Sequence, residues 1–313
     1  MDSERITIKS VCFGEVLWDN LPTGRKLGGA PLNVAYHLNK LGVDAEVLTR
    51  VGDDTNGKDI HSMCKELNIP TSLFQKDLKY PTSTVEVHFD ENKDVHYEIV
   101  YPVAWDYIEV GEKEIEAVKN ADIFVFGSLS TRNIVSYKTL KALMAVSKYN
   151  VLDVNLRAPH YSKERVFELL HHADLVKMNQ EELNIISSWF ELAEVKKDSD
   201  KVEEIMREFD VNELIVTCGA KGAIYHSSRG RFSYYSSALK VEVKDTIGSG
   251  DSFLAAFLAK RFHHQEKTTL EEMMEFATAL SAFVTQNTGA CPSYDAKTIN
   301  RFVWLNSLQN TKY

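Results

Sequence analysis

The chain has 313 residues, with 36 Lys and Arg against 45 Asp and Glu, so its formal net charge is −9 at pH 7. This length suits one large α/β domain or two ordinary ones, and it is sufficient to bury a substantial core. The acidic excess argues against a nucleic-acid-binding surface, although it is compatible with a local basic pocket.

The cysteines and the apolar runs indicate the compartment. The four cysteines are far apart in sequence and form no Cys-x-x-Cys pair, which argues against a zinc site or a disulfide framework. The N-terminal segment has no apolar signal core, and no apolar run approaches the roughly 20 residues that span a bilayer. We therefore expect a cytoplasmic protein with no membrane partner.

Short apolar segments alternate with amphipathic segments along most of the chain. The strands predicted from this pattern are Ser10–Leu17, Ala45–Val51, Ile123–Gly127, Val151–Asn155, Leu175–Met178 and Leu214–Cys218. The predicted helices are Pro31–Leu41, Gly57–Leu67, Ser136–Ser147, Lys163–Leu170, Glu181–Ile186 and Lys201–Glu208. Such alternation is typical of a parallel sheet with helices on both faces.

The first predicted helix follows the glycine-rich segment Leu27-Gly-Gly-Ala-Pro-Leu-Asn33. Gly28 and Gly29 allow a ligand to come close to the backbone, and Asn33 offers both a donor and an acceptor to hydroxyl groups. This combination suits a polyol substrate. The alternative is that the two glycines only form a turn.

The segment Thr84–Val100 departs from the alternation and predicts a β-hairpin with its turn at residues 90–93. A strand pair inserted into an α/β core often covers a site. Together with Glu15–Asn20 it would form a small lid sheet. The alternatives are a surface hairpin and a dimer contact.

Polar residues follow a buried strand at Asp153-Val-Asn-Leu-Arg157, with Asp153, Asn155 and Arg157 on one side. Ligands of open α/β sheets bind beyond the carboxyl ends of the strands. The forked guanidinium of Arg157 could hold a phosphate group there. The alternative is an internal salt bridge between Asp153 and Arg157.

Asn179 and Glu182 lie where the next strand ends and a helix begins. An amide and a carboxylate on one helix face suit a hydrated Mg²⁺ ion, which binds proteins mostly through oxygen. The same two residues also match a helix N-cap and its capping-box partner. Both interpretations can hold together.

The segment Val216-Thr-Cys-Gly-Ala-Lys-Gly222 predicts a strand that runs into a glycine-rich turn able to approach nucleotide phosphates or ribose. The spacing of a Walker loop is absent. The fingerprint Gly-x-Gly-x-x-Gly opening a first βαβ unit is absent as well, which argues against a nicotinamide-dependent dehydrogenase.

The most informative segment is Asp245-Thr-Ile-Gly-Ser-Gly-Asp251, which leads into an apolar helix. Gly248 and Gly250 can take backbone angles closed to other residues, so that several N–H groups point at one spot. The helix dipole at this terminus favours an anion and keeps Asp251 ionised. An anion hole beside a base suits phosphoryl transfer to a hydroxyl group, whereas the alternative is a turn with Asp251 as N-cap.

In combination these motifs resemble those of the ribokinase-like (PfkB) carbohydrate kinases, over about residues 10–305. The segment at 245–251 is similar to the C-terminal signature of that family, and Gly28–Val34 is similar to its N-terminal sugar motif. The remaining motifs follow in the family order, at 51–57, 153–157, 179–182 and 217–222. Other short segments resemble the fructokinase branch, namely Gly14-Glu15, Asp19 with Leu21-Pro22, Ala30-Pro31 and Ala104-Trp105-Asp106.

The resemblance implies one kinase domain over residues 1–313 with a three-layer fold. A central, mostly parallel sheet would be flanked by helices and covered by a small β-sheet lid from about residues 14–22 and 84–101. It also implies that ATP and Mg²⁺ are the cofactors. The implied catalytic residues are Asp251 as base, Gly248, Ser249 and Gly250 as anion hole, and Arg157 near the transferred phosphoryl group. The implied sugar contacts are Asp19, Gly28, Gly29, Asn33, Trp105 and Asp106.

For the nucleotide and the metal ions, the resemblance implies two further sets of residues. The nucleotide would lie along Asn179, Thr217, Gly219, Gly222 and Thr278, with Glu182 reaching Mg²⁺ through water. A monovalent cation, K⁺, would lie beside the anion hole at Asp245, Ile247, Val284, Asn287, Gly289 and Ser293.

Two positions depart from the family pattern. Ser249 stands in place of the usual Ala of the anion hole, where it is small enough to be tolerated. Thr278 stands where fructokinase relatives commonly have Asn near the adenine, which leaves the nucleotide preference open.

We therefore expect an ATP-dependent fructokinase with a small-molecule sugar substrate and no nucleic-acid partner. The first alternative is a kinase for another sugar, such as 2-keto-3-deoxygluconate or ribose. The second is a non-catalytic, sugar-binding regulatory protein with the kinase fold. An exposed edge of the lid sheet would favour a homodimer formed through the lid.

Overall fold

The computed structural model describes residues 7–21, 24–89, 95–190, 197–263, 268–295 and 297–303. The strands are β1 (Lys9–Phe13), β2 (Leu17–Leu21), β3 (Gly24–Gly28), β4 (Asp44–Gly52), β5 (Phe74–Asp77), β6 (Ser83–Phe89), β7 (Val95–Ile99), β8 (Ile123–Gly127), β9 (Asn150–Asp153), β10 (Leu175–Asn179), β11 (Glu213–Thr217), β12 (Ala223–Ser227) and β13 (Phe232–Ser236). The α-helices are α1 (Ala30–Lys40), α2 (Thr55–Glu66), α3 (Glu112–Asn120), α4 (Ile134–Met144), α5 (Lys163–His172), α6 (Gln180–Ser188), α7 (Asp198–Glu208), α8 (Ser249–Phe262) and α9 (Leu270–Thr285).

The central sheet is mostly parallel. Among the described residues it has nine strands in the order β13-β12-β11-β10-β9-β8-β1-β4-β5. The neighbours from β11 to β5 in this order pair in parallel, whereas β11–β12 and β12–β13 are antiparallel. The carboxyl ends of the parallel strands therefore share one edge of the sheet.

Helices cover both faces of this sheet, because successive side chains of a strand point to opposite faces. In β8, Ile123 and Val125 pack into the core shared with α1, α2, α8 and α9. Phe124 and Phe126 pack into the other core, against α3 to α7. This arrangement confirms the predicted three-layer class. Within the described residues, none of the helices has the length and apolar character needed to cross a bilayer.

A second, smaller sheet has the order β3-β2-β6-β7. Its β6–β7 pair confirms the predicted hairpin, with Val85 opposite Ile99, and the predicted turn at 90–93 lies outside the described residues. The predicted single strand Ser10–Leu17 is wrong: β1 ends at Phe13, and the chain enters the lid sheet at Leu17. Gly14 has a φ of +141°, a backbone angle that L-residues rarely adopt, and it turns the chain from one sheet to the other.

A buried ion pair anchors the end of β7 to the body of the molecule. Arg132 donates from Nε and Nη2 to the two carboxylate oxygens of Asp106, at 2.7 and 2.8 Å. Its Nη1 and Nη2 also donate to the carbonyl oxygens of Ile99 and Val100. The guanidinium lies 4.0 Å from the ring centroid of Trp105, which is fully buried, as is Asp106. Arg132 therefore joins the lid hairpin to the segment that carries Trp105 and Asp106.

Replacing Arg132 with Met should lower the free energy of unfolding by about 3–5 kcal/mol, because the Asp106 carboxylate would stay buried without its counter-charge. Urea denaturation measures this loss. Arg25→Met is the matched control, since Arg25 forms an exposed ion pair with Asp59 and such pairs contribute at most about 1 kcal/mol. Equal losses in the two variants would contradict the anchoring role of Arg132.

Candidate active site

The predicted site residues meet where the parallel strands end. Asp153 ends β9, Asn179 ends β10 and Thr217 ends β11, all at the same edge of the sheet. The N-terminal turns of α1 and α8 approach this edge, since Asn33 of α1 and Asp251 of α8 are hydrogen-bonded there. The predicted sugar, phosphate and nucleotide motifs are therefore neighbours in space, although they are spread over most of the chain.

Asp251 and Asn33 form the contact at the centre of this region. The Asn33 side-chain amide donates to Asp251 Oδ2 at 2.8 Å, across 218 positions of sequence. The Asn33 side-chain oxygen in turn accepts from the Cys291 thiol at 3.5 Å. Because its amide and oxygen are both engaged, Asn33 is fixed in orientation and holds one oxygen of the Asp251 carboxylate in place.

The surroundings of Asp251 adjust its basicity. Burial and the nearby Asp153 carboxylate raise the pKa of Asp251 to about 6, against the opposing effects of Lys177, the Asn33 hydrogen bond and Arg157. A carboxyl group with this pKa is mostly ionised at pH 7 and yet binds a proton far better than an ordinary aspartate. That combination suits a general base.

Lys177 is a buried residue close to the Asp251 carboxylate, and none of the sequence motifs assigned it a role in the site. Its Nζ donates to both oxygens of Asp153 at 3.0 Å, and both side chains are buried. Burial lowers the pKa of Lys177, but the carboxylates of Asp153, Glu182 and Asp251 raise it further and keep the ammonium charged. The only indication of this role in the sequence is that Lys177 is a single charged residue inside the apolar strand β10.

This pairing settles one alternative left open by the sequence. Asp153 pairs with Lys177, so the salt bridge to Arg157 considered for it is wrong. Arg157 is exposed, and its charge opposes the rise that burial causes in the pKa of Asp19, Glu15 and Asp251. Arg157 is therefore close enough to these three carboxyl groups to act on them electrostatically.

The expected anion hole is the first turn of α8. Its N-cap Gly248 has a φ of +77°, and a Cβ there would lie 2.5 Å from the Cβ of Ala290. A Cβ on Gly250 would lie 2.7 Å from Nζ of Lys177. The first N–H groups of a helix have no partner within the helix. Here the N–H group of Ser249 donates to the Thr246 carbonyl at 3.3 Å. Close packing against Ala290 therefore requires glycine at 248, whereas a Cβ at 250 would press on the tip of the Lys177 side chain.

A buried histidine supports the loop behind Gly248. His37 Nε2 lies 2.9 Å from the carbonyl oxygen of Ala290, so that nitrogen carries the proton. Its Nδ1 then accepts from the Tyr294 hydroxyl at 2.8 Å. Burial lowers the pKa of His37 to about 4, so it stays neutral near pH 7. The neighbouring Tyr36 hydroxyl donates to the carbonyl of Pro292 at 2.7 Å and holds the same loop.

On the sugar side, the predicted residues Asp19, Gly28 and Gly29 come together. A Cβ on Gly28 would lie 2.4 Å from Asp19 Oδ2, and one on Gly29 would lie 2.3 Å from the carbonyl oxygen of Glu15. Gly29 is therefore needed for close packing against the backbone of Glu15, whereas a Cβ on Gly28 would displace the Asp19 carboxylate. Burial raises the pKa of Asp19, against the charges of Arg157 and Lys26.

Glu15 is a buried carboxyl group in this region that the motif analysis did not assign. Its Oε1 accepts from the Ala30 N–H at 3.3 Å, and burial raises its pKa to about 7. Its Oε2 is buried and has no hydrogen-bond partner among the described residues. Glu15 therefore adds a weakly acidic group at the start of α1.

Trp105 and Asp106 are not in this pocket. Both are fully buried, and the Asp106 carboxylate is taken up by Arg132 and by the Val103 N–H. The direct sugar contact expected for these two residues therefore has no support in their positions. They are connected through Arg132 to the end of lid strand β7. The expected sugar contacts are then Asp19, Gly28, Gly29 and Asn33.

A cavity of about 510 Å³ opens onto the anion hole from the other side. Its lining includes Thr217, Gly219, Gly222, Thr278, Ser249 and Gly250. Apolar side chains of Leu239, Val241, Val243 and Phe253 complete it, and they suit the faces of a purine ring. The Thr278 hydroxyl lies 3.1 Å from that of Ser236, which fixes this wall of the cavity. The space therefore fits a nucleotide with its phosphates at α8.

Asn179 and Glu182 form the capping box that the sequence offered as one of two interpretations. Asn179 Oδ1 accepts from the Glu182 N–H at 2.9 Å, while the Glu182 oxygens accept from the N–H groups of Asn179 and Leu156. Burial raises the pKa of Glu182, against the charge of Lys177. No group of three or more metal-binding side chains occurs among the described residues. The direct hydrogen bonds of Asn179 and Glu182 are thus taken up at the start of α6.

The residues implied for K⁺ include a partly assembled group around Asp245. Its Oδ1 accepts from the Ile247 N–H at 3.0 Å, and its Oδ2 accepts from the Gly289 N–H at 2.9 Å. The ammonium of Lys26 also reaches Oδ2, at 3.3 Å. The Val284 carbonyl accepts from the Asn287 N–H, and Ser293 is exposed. A cation of the protein itself therefore occupies the carboxylate implied for K⁺, and the set does not fit a K⁺ ion in this arrangement.

Comparisons with known proteins agree with this geometry. The model of the pfkB family of carbohydrate kinases matches residues 6–297. A probable chloroplastic fructokinase-6 of Arabidopsis thaliana is 28% identical over 316 residues, covering 92% of this chain and 80% of that protein.

Solved structures show the same fold. A fructokinase double mutant of Vibrio cholerae, with fructose, ADP and potassium ion bound, has a TM-score of 0.82 at 22% identity, covering 96% of this chain and 100% of that one. An aminoimidazole riboside kinase of Salmonella enterica has a TM-score of 0.76 at 20% identity, covering 94% and 99% of the two chains. The ribokinase-like fold expected from the motifs is thereby confirmed.

Replacing Gly222 with Ala should weaken ADP binding about tenfold or more. Gly222 has a φ of +111°, and a Cβ there would lie 2.0 Å from the carbonyl oxygen of Ser236. Either the turn or β13 must therefore shift, at a cost of about 1–3 kcal/mol, and both border the cavity. Isothermal titration calorimetry gives the dissociation constant.

The matched control is Gly24→Ala on β3, outside the cavity lining. Gly24 also has a positive φ, of +116°, but nothing lies within 4 Å of an added Cβ, so only a backbone cost of about 1–2 kcal/mol, with no effect on ADP binding, is expected. If Gly222→Ala binds ADP as tightly as the parent protein, the cavity is not the nucleotide site.

Proposed function

The chain belongs to the pfkB family of carbohydrate kinases, and on that premise we propose that it transfers the γ-phosphoryl group of MgATP to a hydroxyl group of fructose. One observation carries the proposal: the hydrogen bond between Asn33 and Asp251. It joins the sugar motif to the residue best placed to act as base, at the rim of a cavity that suits a nucleotide.

The first step is the positioning of the sugar hydroxyl. In the proposed complex it lies against Asp251 Oδ1, since Oδ2 is held by Asn33. The hydroxyl oxygen attacks the γ-phosphorus, and the bond from that phosphorus to the oxygen bridging to the β-phosphate breaks. ADP leaves with the electron pair of that bond, and the hydroxyl proton passes to the Asp251 carboxylate.

The charge of the moving phosphoryl group is met by fixed donors. In the proposed complex the N–H groups of Gly250 and Asp251 in the first turn of α8 donate to it, and the positive end of the helix dipole adds to their effect. The Arg157 guanidinium approaches from the sugar side. Lys177 is buried against Asp153, so it keeps the carboxylates in place and does not contact the phosphate.

Mg²⁺, when bound with ATP, neutralises phosphate charge. Glu182 and Asn179 would act on it through water, because their direct hydrogen bonds hold the start of α6. Thr217, Gly219, Gly222 and Thr278 would line the nucleotide. The preference for ATP over other nucleoside triphosphates is part of the proposal.

Fructose is supported by the similarity to relatives named fructokinase, and Asp19 on lid strand β2 would offer a carboxylate to the hydroxyl groups of the sugar. The other sugars named above use the same mechanism. A non-catalytic regulatory protein is disfavoured because nothing but catalysis requires Asp251, Arg157 and the turn of α8 to be assembled together. Cytoplasmic location and a homodimer through lid edge β3 or β7 stay predictions.

A coupled ADP-release assay tests the function. MgATP is offered with fructose, ribose, 2-keto-3-deoxygluconate, tagatose and fructose 6-phosphate. We expect turnover on fructose, and we expect Asp251→Asn to lower kcat by at least about 10²–10⁴-fold while sugar and ATP still bind, because only the proton acceptor is lost.

Each outcome decides between stated alternatives. Turnover on another sugar keeps the mechanism and overturns the substrate. Near-normal turnover of Asp251→Asn overturns the role of the base. Binding of sugar and ATP without turnover on any sugar favours the regulatory alternative.

A further inference from the structure

Lys26 on lid strand β3 reaches across to the loop that precedes the anion hole. Its Nζ lies 3.3 Å from Asp245 Oδ2, the same oxygen that accepts from the Gly289 N–H. The aliphatic part of the side chain also lies along this loop, with Cδ 3.9 Å from the position of a Cβ on Gly289. The contact joins residues 219 positions apart in sequence.

Asp245 is the only carboxylate among the six positions that the sequence implied for K⁺, and the others would supply neutral oxygens. A monovalent cation depends on that negative charge to offset its loss of hydration. With an ammonium 3.3 Å away, the carboxylate is already neutralised, and K⁺ would also be repelled by a like charge. The Asp245 carboxylate can therefore pair with the Lys26 ammonium or with K⁺, but not with both.

The same residue is linked to both halves of the proposed site. Lys26 stands opposite Asp19 in the β2–β3 pair, and its charge lowers the pKa of Asp19. On the other side, Asp245 holds the Ile247 N–H, next to Gly248 at the start of the anion hole. Lys26 is thus placed to neutralise Asp245 from the lid, as a bound monovalent cation would.

We propose that the Lys26 ammonium takes the place of a monovalent cation at Asp245, so that nucleotide binding and turnover are independent of K⁺. The proposal rests on the proposed kinase function, because it concerns the anion hole of that site. Lys26 acts as a positioning residue: it holds Asp245 and thereby the Ile247–Gly248 turn, and it does not contact the phosphoryl group.

The experiment compares potassium chloride with tetramethylammonium chloride, whose cation is too large for such a site, at equal ionic strength. Calorimetry gives the dissociation constant of ADP, and thermal unfolding gives Tm, for the parent protein and for Lys26→Met. The matched control is Arg25→Met, which removes the same charge from the same strand. The Arg25 guanidinium binds Asn56 and Asp59, away from Asp245.

We expect the parent protein and Arg25→Met to bind ADP equally well in both salts. Lys26→Met should bind ADP at least about fivefold more tightly in potassium chloride, the lower end of usual couplings between two sites, with a matching rise in Tm. Lys26→Gln serves as a second neutral variant if Lys26→Met does not fold.

Two results would overturn the proposal. One is a K⁺ effect on ADP binding in the parent protein as large as that in the lysine variants. The other is no K⁺ effect in any variant, which would mean that Lys26 replaces nothing. Neither readout requires a sugar to be phosphorylated, so a wrong substrate or an inactive enzyme would leave this test intact.

Discussion

The buried pair between Lys177 and Asp153 is the interaction on which the rest of the site depends. One ammonium lies among the carboxylates of Asp153, Glu182 and Asp251, which keeps it charged despite its burial. Without it, three carboxylates would share a region largely shielded from water, and repulsion would favour protonation of at least one. Because Asp153 is paired with Lys177, it does not form the salt bridge to Arg157.

Around that pair, two separate parts of the chain meet at one bond. The lid and α1 bring Asp19 and Asn33, whereas α8 brings Asp251 and the anion hole beside the nucleotide cavity. The contact between Asn33 and Asp251 links the two parts directly. Lys26 and Asp245 form a second link near the same boundary.

Local features of the sequence predicted most of the fold. Period-two and helical patterns located six of the seven parallel strands, all but β5, and the hairpin of β6 and β7. Spacing alone indicated the capping box of Asn179 and Glu182. The turn at Gly14, where the chain passes from the central sheet to the small sheet, was missed because hydropathy does not depend on the backbone angle φ. The roles of Lys177, Arg132 and Lys26 were missed because their partners lie 24, 26 and 219 positions away. Burial of Trp105 and Asp106 was equally a matter of tertiary packing.

In the proposed mechanism Asp251, whose pKa its surroundings raise to about 6, is the proton acceptor. The most direct measurement is the pH dependence of kcat/KM for the sugar at saturating MgATP. Activity should fall below a pH near 6, because only the ionised carboxylate accepts a proton. Since the Asn33 hydrogen bond lowers this pKa, Asn33→Ala should move the fall to higher pH, whereas a fall caused by titration of ATP would not move. Two results would contradict this role of Asp251. One is a fall in kcat/KM whose pH does not change in Asn33→Ala, and the other is a fall near the ordinary aspartate pKa of about 3.9.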